Sequence, residues 1–336
     1  MKRLSAALVI LALTIPLMAG AVQAAPKAIT VYSSVDEQNA KKILDAFTKA
    51  TGIPYKMVFL SSGPAIARIE AEKGNPQADV WMGAPSENHV TVKNRGLTQP
   101  YVSPNASALK PQFRDAEGYW TCFYMNPMGV GVRTDFLSRV KASAPRTWAD
   151  LLRPEFKGQI QYPSPQTSGT GYNMVAGFVK EWGEAKAFDY LKKLHANVQI
   201  YTQSGTAPSQ AIAIGQAAIG IQFTPAILQA IDEGYPIQLV FPSDGVTYEA
   251  PAVSILKGAG NLEGAKALVD WLISIEGQTV IAQSKTYFYP IHPQAKLAPG
   301  MPAFSEINTV EVDTAWSASQ KSRLVEKWIA EVLQGK

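Results

Sequence analysis

The sequence predicts an α/β protein in which two lobes enclose a ligand cleft. Short stretches rich in β-branched and aromatic residues alternate with longer stretches of helical periodicity, which is typical of mostly parallel sheets flanked by helices. The 336 residues provide enough chain for two packed domains. Small polar residues follow the predicted strands in both halves, and open α/β sheets bind ligands outside the carboxyl ends of their strands. We therefore expect one sheet in each lobe and a binding cleft between them.

The N-terminal segment, MKRLSAALVILALTIPLMAGAVQAAPK, has the features of a secretory signal peptide. Lys2 and Arg3 precede an apolar run, and small residues around Ala24 fit a cleavage site. The apolar run is shorter than the ~20 residues that a membrane-spanning helix needs, which favours a cleaved signal over a retained anchor. We expect residues 1–24 to be removed and the mature protein to reside in the periplasm.

Composition and charge exclude several classes of protein. Cys122 is the only cysteine, so the chain has neither a lipid-modified cysteine at the cleavage site nor an intramolecular disulfide, although an export compartment would allow one. Removal of Lys2 and Arg3 lowers the formal net charge from +4 to +2. This balance is too even for a nucleic-acid-binding surface, and we expect no nucleic-acid partner.

The first half of the chain alternates strands with helices. Strands are predicted at 28–34, 55–63 and 78–88, and helices at 36–52 and 65–76. The first helix places Ile43, Leu44 and Phe47 on one face and ends at Gly52. Small polar residues occupy three consecutive strand ends: Ser33–Ser34, Ser61–Ser62–Gly63 and Gly83. Each group alone fits an ordinary turn, but the three together predict a binding edge.

The second half repeats this pattern. Strands are predicted at 158–165, 198–208, 217–225, 237–245 and 250–258. Helices are predicted from the segment after SGTGY, residues 168–172, through Trp182, and at 186–197, 209–216, 226–236 and 261–283, the last capped by Asn261. The stretches 121–132 and 246–254 are the expected crossings between lobes. The predicted first lobe comprises 25–125 and 250–300, and the second comprises 126–249 and 301–336.

The stretch YPSPQTSGTGYNM, residues 162–174, passes from a strand into a helix. The first N–H groups of a helix lack partners within it and carry the positive end of its dipole. Gly169 would allow a ligand to approach the backbone, and the hydroxyls of Ser168 and Thr170 can donate hydrogen bonds. These features indicate a seat for an anion such as phosphate, phosphonate or carboxylate. From the sequence, the alternative that Ser168 is only a helix cap remains open.

Motifs for catalysis, metal binding and cofactor binding are missing from the sequence. No P-loop lysine, dinucleotide fingerprint or GxSxG nucleophile elbow occurs. The histidines show no metal-ligand spacing; they are His89, His195 and His292. Asp79 is interpreted as a structural hydrogen-bonding residue. Trp81 and Phe223 are interpreted as core, although either could pack on a ligand. We predict no catalytic residue, no metal ligand and no cofactor.

A signal peptide followed by five segments, in order, resembles a known family. They are ITVYSS, LSSGPAIARIEAEKGNPQADVWMG, YPSPQTSGTGY, GQAAIGIQFTP and YEAPAVSILKGAGN, after the signal peptide. Throughout its length the mature chain resembles the periplasmic solute-binding proteins of ABC importers, in the branch that holds ferric-ion, sugar-phosphate and aminoethylphosphonate binding proteins. The resemblance implies a type II two-lobed fold, no enzymatic activity, and a monomer that delivers solute to permease subunits powered by a separate nucleotide-binding subunit.

The ferric members of that branch hold iron with a histidine, a glutamate and two adjacent tyrosines. The corresponding positions here fall on Asp36, on Ala84 and Pro85, and on Thr224 and Pro225. Tyr287 and Tyr289 are not adjacent and lie elsewhere in the sequence. The SSGP and TSGTGY segments instead match members with phosphorylated ligands.

The sequence therefore predicts that the cleft binds a small anionic organic solute, such as a sugar phosphate or aminoethylphosphonate. The predicted ligand-binding residues are Ser34, Ser62, Gly63, Ser168, Gly169, Thr170 and Glu249. Glu249 could pair with an amine, accept from sugar hydroxyls, or be an exposed turn carboxylate. A ferric-ion (Fe³⁺) binder that uses other oxygen ligands and a secreted hydrolase are the alternative functions.

Overall fold

A computed structural model of the chain describes residues 26–299 and 301–335. The predicted signal peptide lies outside the described residues. Within them the strands are β1 (Ile29–Ser33), β2 (Tyr55–Phe59), β3 (Val80–Pro85), β4 (Thr98–Gln99), β5 (Thr121–Cys122), β6 (Asn126–Arg133), β7 (Ile160–Pro163), β8 (Val198–Thr202), β9 (Ile219–Phe223), β10 (Ile237–Val240), β11 (Val246–Glu249), β12 (Pro251–Leu256) and β13 (Thr309–Val310). The helices are α1 (Glu37–Thr51), α2 (Ser62–Ala71), α3 (Ser86–Asn94), α4 (Thr134–Val140), α5 (Gly169–Trp182), α6 (Glu184–His195), α7 (Ala207–Ala213), α8 (Thr224–Asp232), α9 (Leu262–Leu272), α10 (Ile275–Gln283) and α11 (Thr314–Trp328).

Two separate sheets confirm the predicted α/β architecture. One has the order β2-β1-β3-β12-β4 with β5 beside β12, and the other has the order β13-β11-β6-β9-β7-β8 with β10 beside β6. Strands β1, β2 and β3 are mutually parallel, as are β7, β8 and β9. Strands β12 and β6 run antiparallel to these parallel groups. Each sheet is therefore a parallel group extended by a strand that comes from a crossing between the sheets.

The helices pack on the sheets through the apolar faces that their sequences predict. Ile43, Leu44 and Phe47 of α1 are buried in the core of the first sheet. Gly52 ends this helix in the left-handed conformation, with φ of 74°, and its N–H donates to the Thr48 carbonyl. No helix of the described residues is long and apolar enough to cross a membrane.

Several predicted element bounds are wrong, and two of them have a clear physical cause. The helix expected over 261–283 is two helices, because the Ser274 hydroxyl accepts from the N–H of Gly277 at 3.0 Å and so caps a new helix, α10. Its predicted start is correct, since the Asn261 side chain accepts from Gly264 N at 3.1 Å. The strand expected over 217–225 ends at Phe223, because Thr224 already begins α8.

The chain crosses between the two sheets three times, and two of these crossings are very short. Residues 123–125 separate β5 from β6, and Ala250 separates β11 from β12. The crossings are held together, since Phe123 N donates to Pro251 O at 3.0 Å and the backbones of Met125 and Tyr289 exchange two hydrogen bonds. On this basis we propose the lobe division of 25–125 plus 250–300 against 126–249 plus 301–336, with the crossings as the hinge.

Candidate ligand-binding cleft

A partly open cavity of about 60 Å³ lies between the two lobes. Its walls carry small hydroxyl residues, two carboxylates, one amide and several aromatic rings: Ser34, Ser61, Ser62, Ser168, Thr170, Ser204, Thr206, Asp36, Glu249, Asn126, Phe59, Tyr124, Phe223 and Phe288. A second cavity of about 510 Å³ shares Asp36, Phe59, Ser204 and Thr206 with it. The first cavity, called the inner chamber below, therefore adjoins a larger outer cavity.

The inner chamber lies where helices of both lobes begin. Ser61 and Ser62 stand at the start of α2 in the first lobe, and Ser168 and Thr170 at the start of α5 in the second. Each helix start presents the positive end of a helix dipole and N–H groups without helical partners. Among the described residues that line the chamber there is no lysine or arginine. An anion here would therefore be held by dipoles and hydroxyls instead of a cationic side chain.

The structure does not support the interpretation of Ser168 as a simple cap. Ser168 occupies the N-cap position of α5, but its side chain makes no capping hydrogen bond. The N–H of Gly169 instead donates to the Ser62 hydroxyl of the other lobe, at 3.3 Å. The hydroxyls of Ser168 and Thr170 both line the chamber, where they are available to donate to a ligand.

Gly63 and Gly169 serve a different purpose from the one expected. Gly63 N donates to Thr167 O at 3.0 Å, across the cleft. A Cβ atom on Gly169 would lie 2.8 Å from both Pro85 Cδ and the Ser62 hydroxyl, and one on Gly63 would lie 3.2 Å from Thr167 O. The opposite lobe fills the space beside each glycine, so neither lines the chamber. They allow the two lobes to meet, rather than a ligand to approach the backbone.

Ser34 lines the chamber, but its hydroxyl is already engaged. It donates to Leu60 O at 2.7 Å and accepts from Trp81 Nε1 at 3.0 Å. Ser34 thereby ties the end of β1 to the segment that leads into Ser61 and Ser62. Its single proton is committed to the protein, so we assign Ser34 a positioning role for α2.

Glu249 is not an exposed turn carboxylate. It is 8 % exposed, and its Oε1 accepts from Asn126 Nδ2 at 3.0 Å. Burial raises the pKa of Glu249 well above its ordinary value. The Asn126 Oδ1 atom is buried and has no partner in the part of the chain that the structure describes. This wall of the chamber therefore offers acceptors for a hydrogen-bond donor on the ligand.

Asp36 contributes a second carboxyl to the chamber wall. It caps α1 by accepting from Asn39 N at 3.0 Å, and burial raises the pKa of this carboxyl as well. With Glu249 it gives the chamber two acidic groups that favour a ligand with hydroxyl or ammonium donors.

Several chamber residues escape sequence reasoning. Tyr124 and Phe288 stack with ring centroids 3.9 Å apart and form an apolar wall, although nothing in the sequence links these two positions. Gly205 leaves the space into which Ser168 and Thr170 project, because a Cβ atom there would clash with Thr170 Oγ1. For Gly205, the sequence signal was the polar strand end at Ser204–Thr206.

Of the residues predicted to be structural, Asp79, Trp81 and His89 lie outside the chamber, whereas Phe223, which was interpreted as core, lines it. Asp79 accepts from Thr30 N and Asn261 N, both at 2.7 Å, which confirms its structural role. His89 is fully buried and contacts Gly83 O at 2.6 Å and the Ser254 hydroxyl at 2.8 Å, and burial lowers its pKa to about 4. Among residues 26–299 and 301–335, no cluster of three or more His, Cys, Asp or Glu side chains could hold a metal ion.

Known proteins show the same fold and sequence pattern. The profile of a family described as bacterial extracellular solute-binding proteins matches residues 75–315. The periplasmic binding protein AfuA from Actinobacillus pleuropneumoniae, solved with exogenous fructose-6-phosphate bound, superposes with a TM-score of 0.87 and 33% identity, over 91% of this chain and 99% of that chain. An uncharacterized protein of Haemophilus influenzae is 36% identical over 312 residues, 90% of each chain. The major ferric iron-binding protein of Neisseria meningitidis is 27% identical over 334 residues, 93% of this chain and 96% of its own length.

Proposed function

Because the chain belongs to the bacterial extracellular solute-binding protein family, we propose that it captures a small anionic organic solute, a phosphate ester or phosphonate, in the interlobe chamber. The family supplies the substrate-binding component of ABC importers, which is a transport role and not an enzymatic one. The solute would be delivered in the periplasm to permease subunits, and a separate nucleotide-binding subunit would supply the energy.

The observation that carries this proposal is the pair of available hydroxyls at the start of α5. Ser168 and Thr170 face the chamber without the capping bond that a serine at this position usually makes. Ser62 approaches from the start of α2 in the other lobe. Charge-assisted hydrogen bonds from such donors to phosphate oxygens are stronger than neutral ones, and two helix dipoles add to them.

The remaining walls support an organic solute rather than inorganic phosphate. Glu249, Asp36 and the unpartnered Asn126 Oδ1 accept hydrogen bonds, which suits hydroxyl or ammonium groups at the other end of the ligand. The outer cavity gives room for that end. The bound fructose-6-phosphate of AfuA has this combination of a phosphate and hydroxyl donors.

Ferric iron is the second candidate, because two carboxyls, Asp36 and Glu249, line the chamber and hard cations prefer oxygen ligands. Against it, the tyrosine-pair positions are Thr224 and Pro225, and Thr224 is fully buried at the start of α8. A secreted hydrolase has less support, since no histidine is among the described chamber residues.

A thermal-shift screen over phosphate esters, phosphonates, carboxylates and Fe³⁺ tests the proposal. A phosphate monoester at ~100 times its Kd stabilises the folded state by about 2.7 kcal/mol, so we expect a clear rise in Tm. Gly205→Ala is the matched variant, because its Cβ atom would occupy the seat, and it should abolish the rise. A shift with Fe³⁺ alone, together with visible colour, would contradict the proposal.

A further inference from the structure

The C-terminal helix α11 brings a lysine to the boundary between the lobes. It packs against α3 of the first lobe and against α5 of the second lobe. Lys321 Nζ donates to Asn88 Oδ1 on α3 and lies 5.6 Å from the centroid of the Tyr172 ring on α5. Asn88 and Tyr172 belong to the first turns of their helices. The ammonium group is therefore placed beside the positive ends of two helix dipoles.

This is an unfavourable place for a cation. Burial of the ammonium group lowers the pKa of Lys321, and the nearby Arg95 guanidinium acts in the same direction. The one acidic group that opposes this effect on Lys321 is Glu87, whose carboxyl is itself buried and has its pKa raised to about 7. The two helix starts and the Lys321 ammonium group are thus positive groups on one side of the chamber, and Glu87 is the acidic group beside them.

A short chain of contacts joins Lys321 to the anion seat. Asn88 Nδ2 donates to Pro85 O at 3.0 Å, and Pro85 lines the chamber. The same Nδ2 atom lies 3.1 Å from the position that a Cβ atom on Gly169 would take. Asn88 thus separates the ammonium group from the first residue of α5, where the seat begins.

We propose that Lys321 is a specificity-determining residue of the chamber, a counter-charge that favours dianionic over monoanionic solutes without touching them. The inference rests on the proposed function and deepens it. Electrostatic interactions within a protein are weakly screened, so a cation in the second layer still acts on the charge of a bound phosphate.

The test compares Lys321→Met with the wild type by isothermal titration at pH 8, with fructose-6-phosphate and fructose-6-sulfate as probes. The phosphate ester is a dianion and the sulfate ester a monoanion. Loss of one unit charge at an effective dielectric constant near 20 should weaken phosphate-ester binding roughly tenfold, and weaken sulfate-ester binding less. Equal losses for both probes, or no loss, would overturn the inference.

Glu87→Gln tests the inference through the opposite change in affinity. At pH 8 the Glu87 carboxyl is largely ionised, since its pKa is about 7, so its neutralisation should tighten phosphate-ester binding about threefold. A purely structural role would make both variants bind more weakly, and that result would overturn the inference. If Lys321→Met does not fold, Glu87→Gln and the charge-retaining Lys321→Arg decide the question.

Lys327→Met is the matched control on the same helix. Lys327 pairs with Glu184 at 2.7 Å on the surface of the second lobe, and its replacement should leave both affinities unchanged. Weakening as large as that of Lys321→Met would count against a specific role for Lys321. If the wild type binds no phosphate ester, the proposed function and this inference fail together. If the wild type binds phosphate esters and the variants bind them with the same affinity, this inference fails and the proposed function stands.

Discussion

At the scale of single residues, some hydroxyls already form hydrogen bonds within the protein, and others remain available to a ligand. The Ser34 hydroxyl donates a hydrogen bond to Leu60 O, and the Ser274 hydroxyl accepts one from Gly277 N. Ser168 holds an equivalent N-cap position on α5 but makes no such bond. We propose that the Ser168 hydroxyl, which makes no capping bond, is available to hydrogen-bond a ligand.

Ser168→Ala should therefore change ligand affinity, whereas Ser274→Ala should change stability. Loss of the Ser274 cap should lower the free energy of unfolding by about 1 kcal/mol and leave the phosphate-ester affinity unchanged. Loss of the Ser168 hydroxyl should weaken that affinity at least tenfold, since hydrogen bonds to charged groups contribute ~1.5–3 kcal/mol, with little change in unfolding free energy. Urea denaturation and titration calorimetry measure both, and a destabilised Ser168→Ala with normal affinity would show that Ser168 is only a cap.

The buried Glu87 carboxyl predicts a pH dependence of stability. Its pKa is raised from 4.5 to about 7 in the folded protein, chiefly by burial, so between these values the folded state binds more protons than the unfolded state. Stability should fall as pH rises from about 4.5 to about 7. Glu249, whose pKa is also raised, acts in the same direction. Glu87→Gln should flatten this slope in denaturation midpoints, and an unchanged slope would contradict the assignment.

The sequence predicts part of the site because part of it is local. Ser62, Ser168 and Thr170 follow from strand ends that lead into helices, a pattern visible within about ten residues. The Glu249–Asn126 pair joins positions 123 residues apart, and the Tyr124–Phe288 wall joins others still more distant in sequence. Such contacts depend on how the two lobes are brought together, which no local pattern specifies.

At the scale of elements, the starts of α2 and α5 form a contact that closes the cleft. Gly63 N to Thr167 O and Gly169 N to the Ser62 hydroxyl are direct hydrogen bonds between the lobes. The glycine pattern of these segments was predictable, but its purpose was not. Glycine is needed here because the opposite lobe occupies the side-chain position.

Gly169→Ala should keep the lobes apart. Its Cβ atom would lie 2.8 Å from Pro85 Cδ and the Ser62 hydroxyl, whereas alanine is favourable within the helix itself. We expect a folded protein with at least tenfold weaker phosphate-ester binding. Gly74→Ala is the control, since nothing lies within 4 Å of its added Cβ atom. Wild-type affinity in Gly169→Ala would show that this contact is not part of closure.

The division of the predicted helix 261–283 shows a further limit of periodicity. The apolar pattern runs through both α9 and α10, so the sequence favours one helix. Ser274 interrupts it because a serine side chain competes for backbone N–H groups.

At the scale of the whole molecule, two lobes joined in part by two very short crossings suit hinge closure. The crossings at 123–125 and Ala250 leave few backbone torsions to absorb the motion, while both cores remain intact. Solution scattering should show a smaller radius of gyration when a phosphate ester saturates the wild type. Gly169→Ala should show a smaller decrease, and an unchanged radius in saturated wild type would contradict hinge closure.

The central claim is that the starts of α2 and α5 seat a phosphate group. The most direct measurement is a crystal structure with the phosphate monoester that raises Tm most. We predict phosphate oxygens within about 2.5–3.2 Å of the Ser168, Thr170 and Ser62 hydroxyls, with the rest of the solute directed towards Glu249 and Asp36. A phosphate group bound elsewhere, or a ferric ion held by Asp36 and Glu249 with those hydroxyls empty, would contradict it.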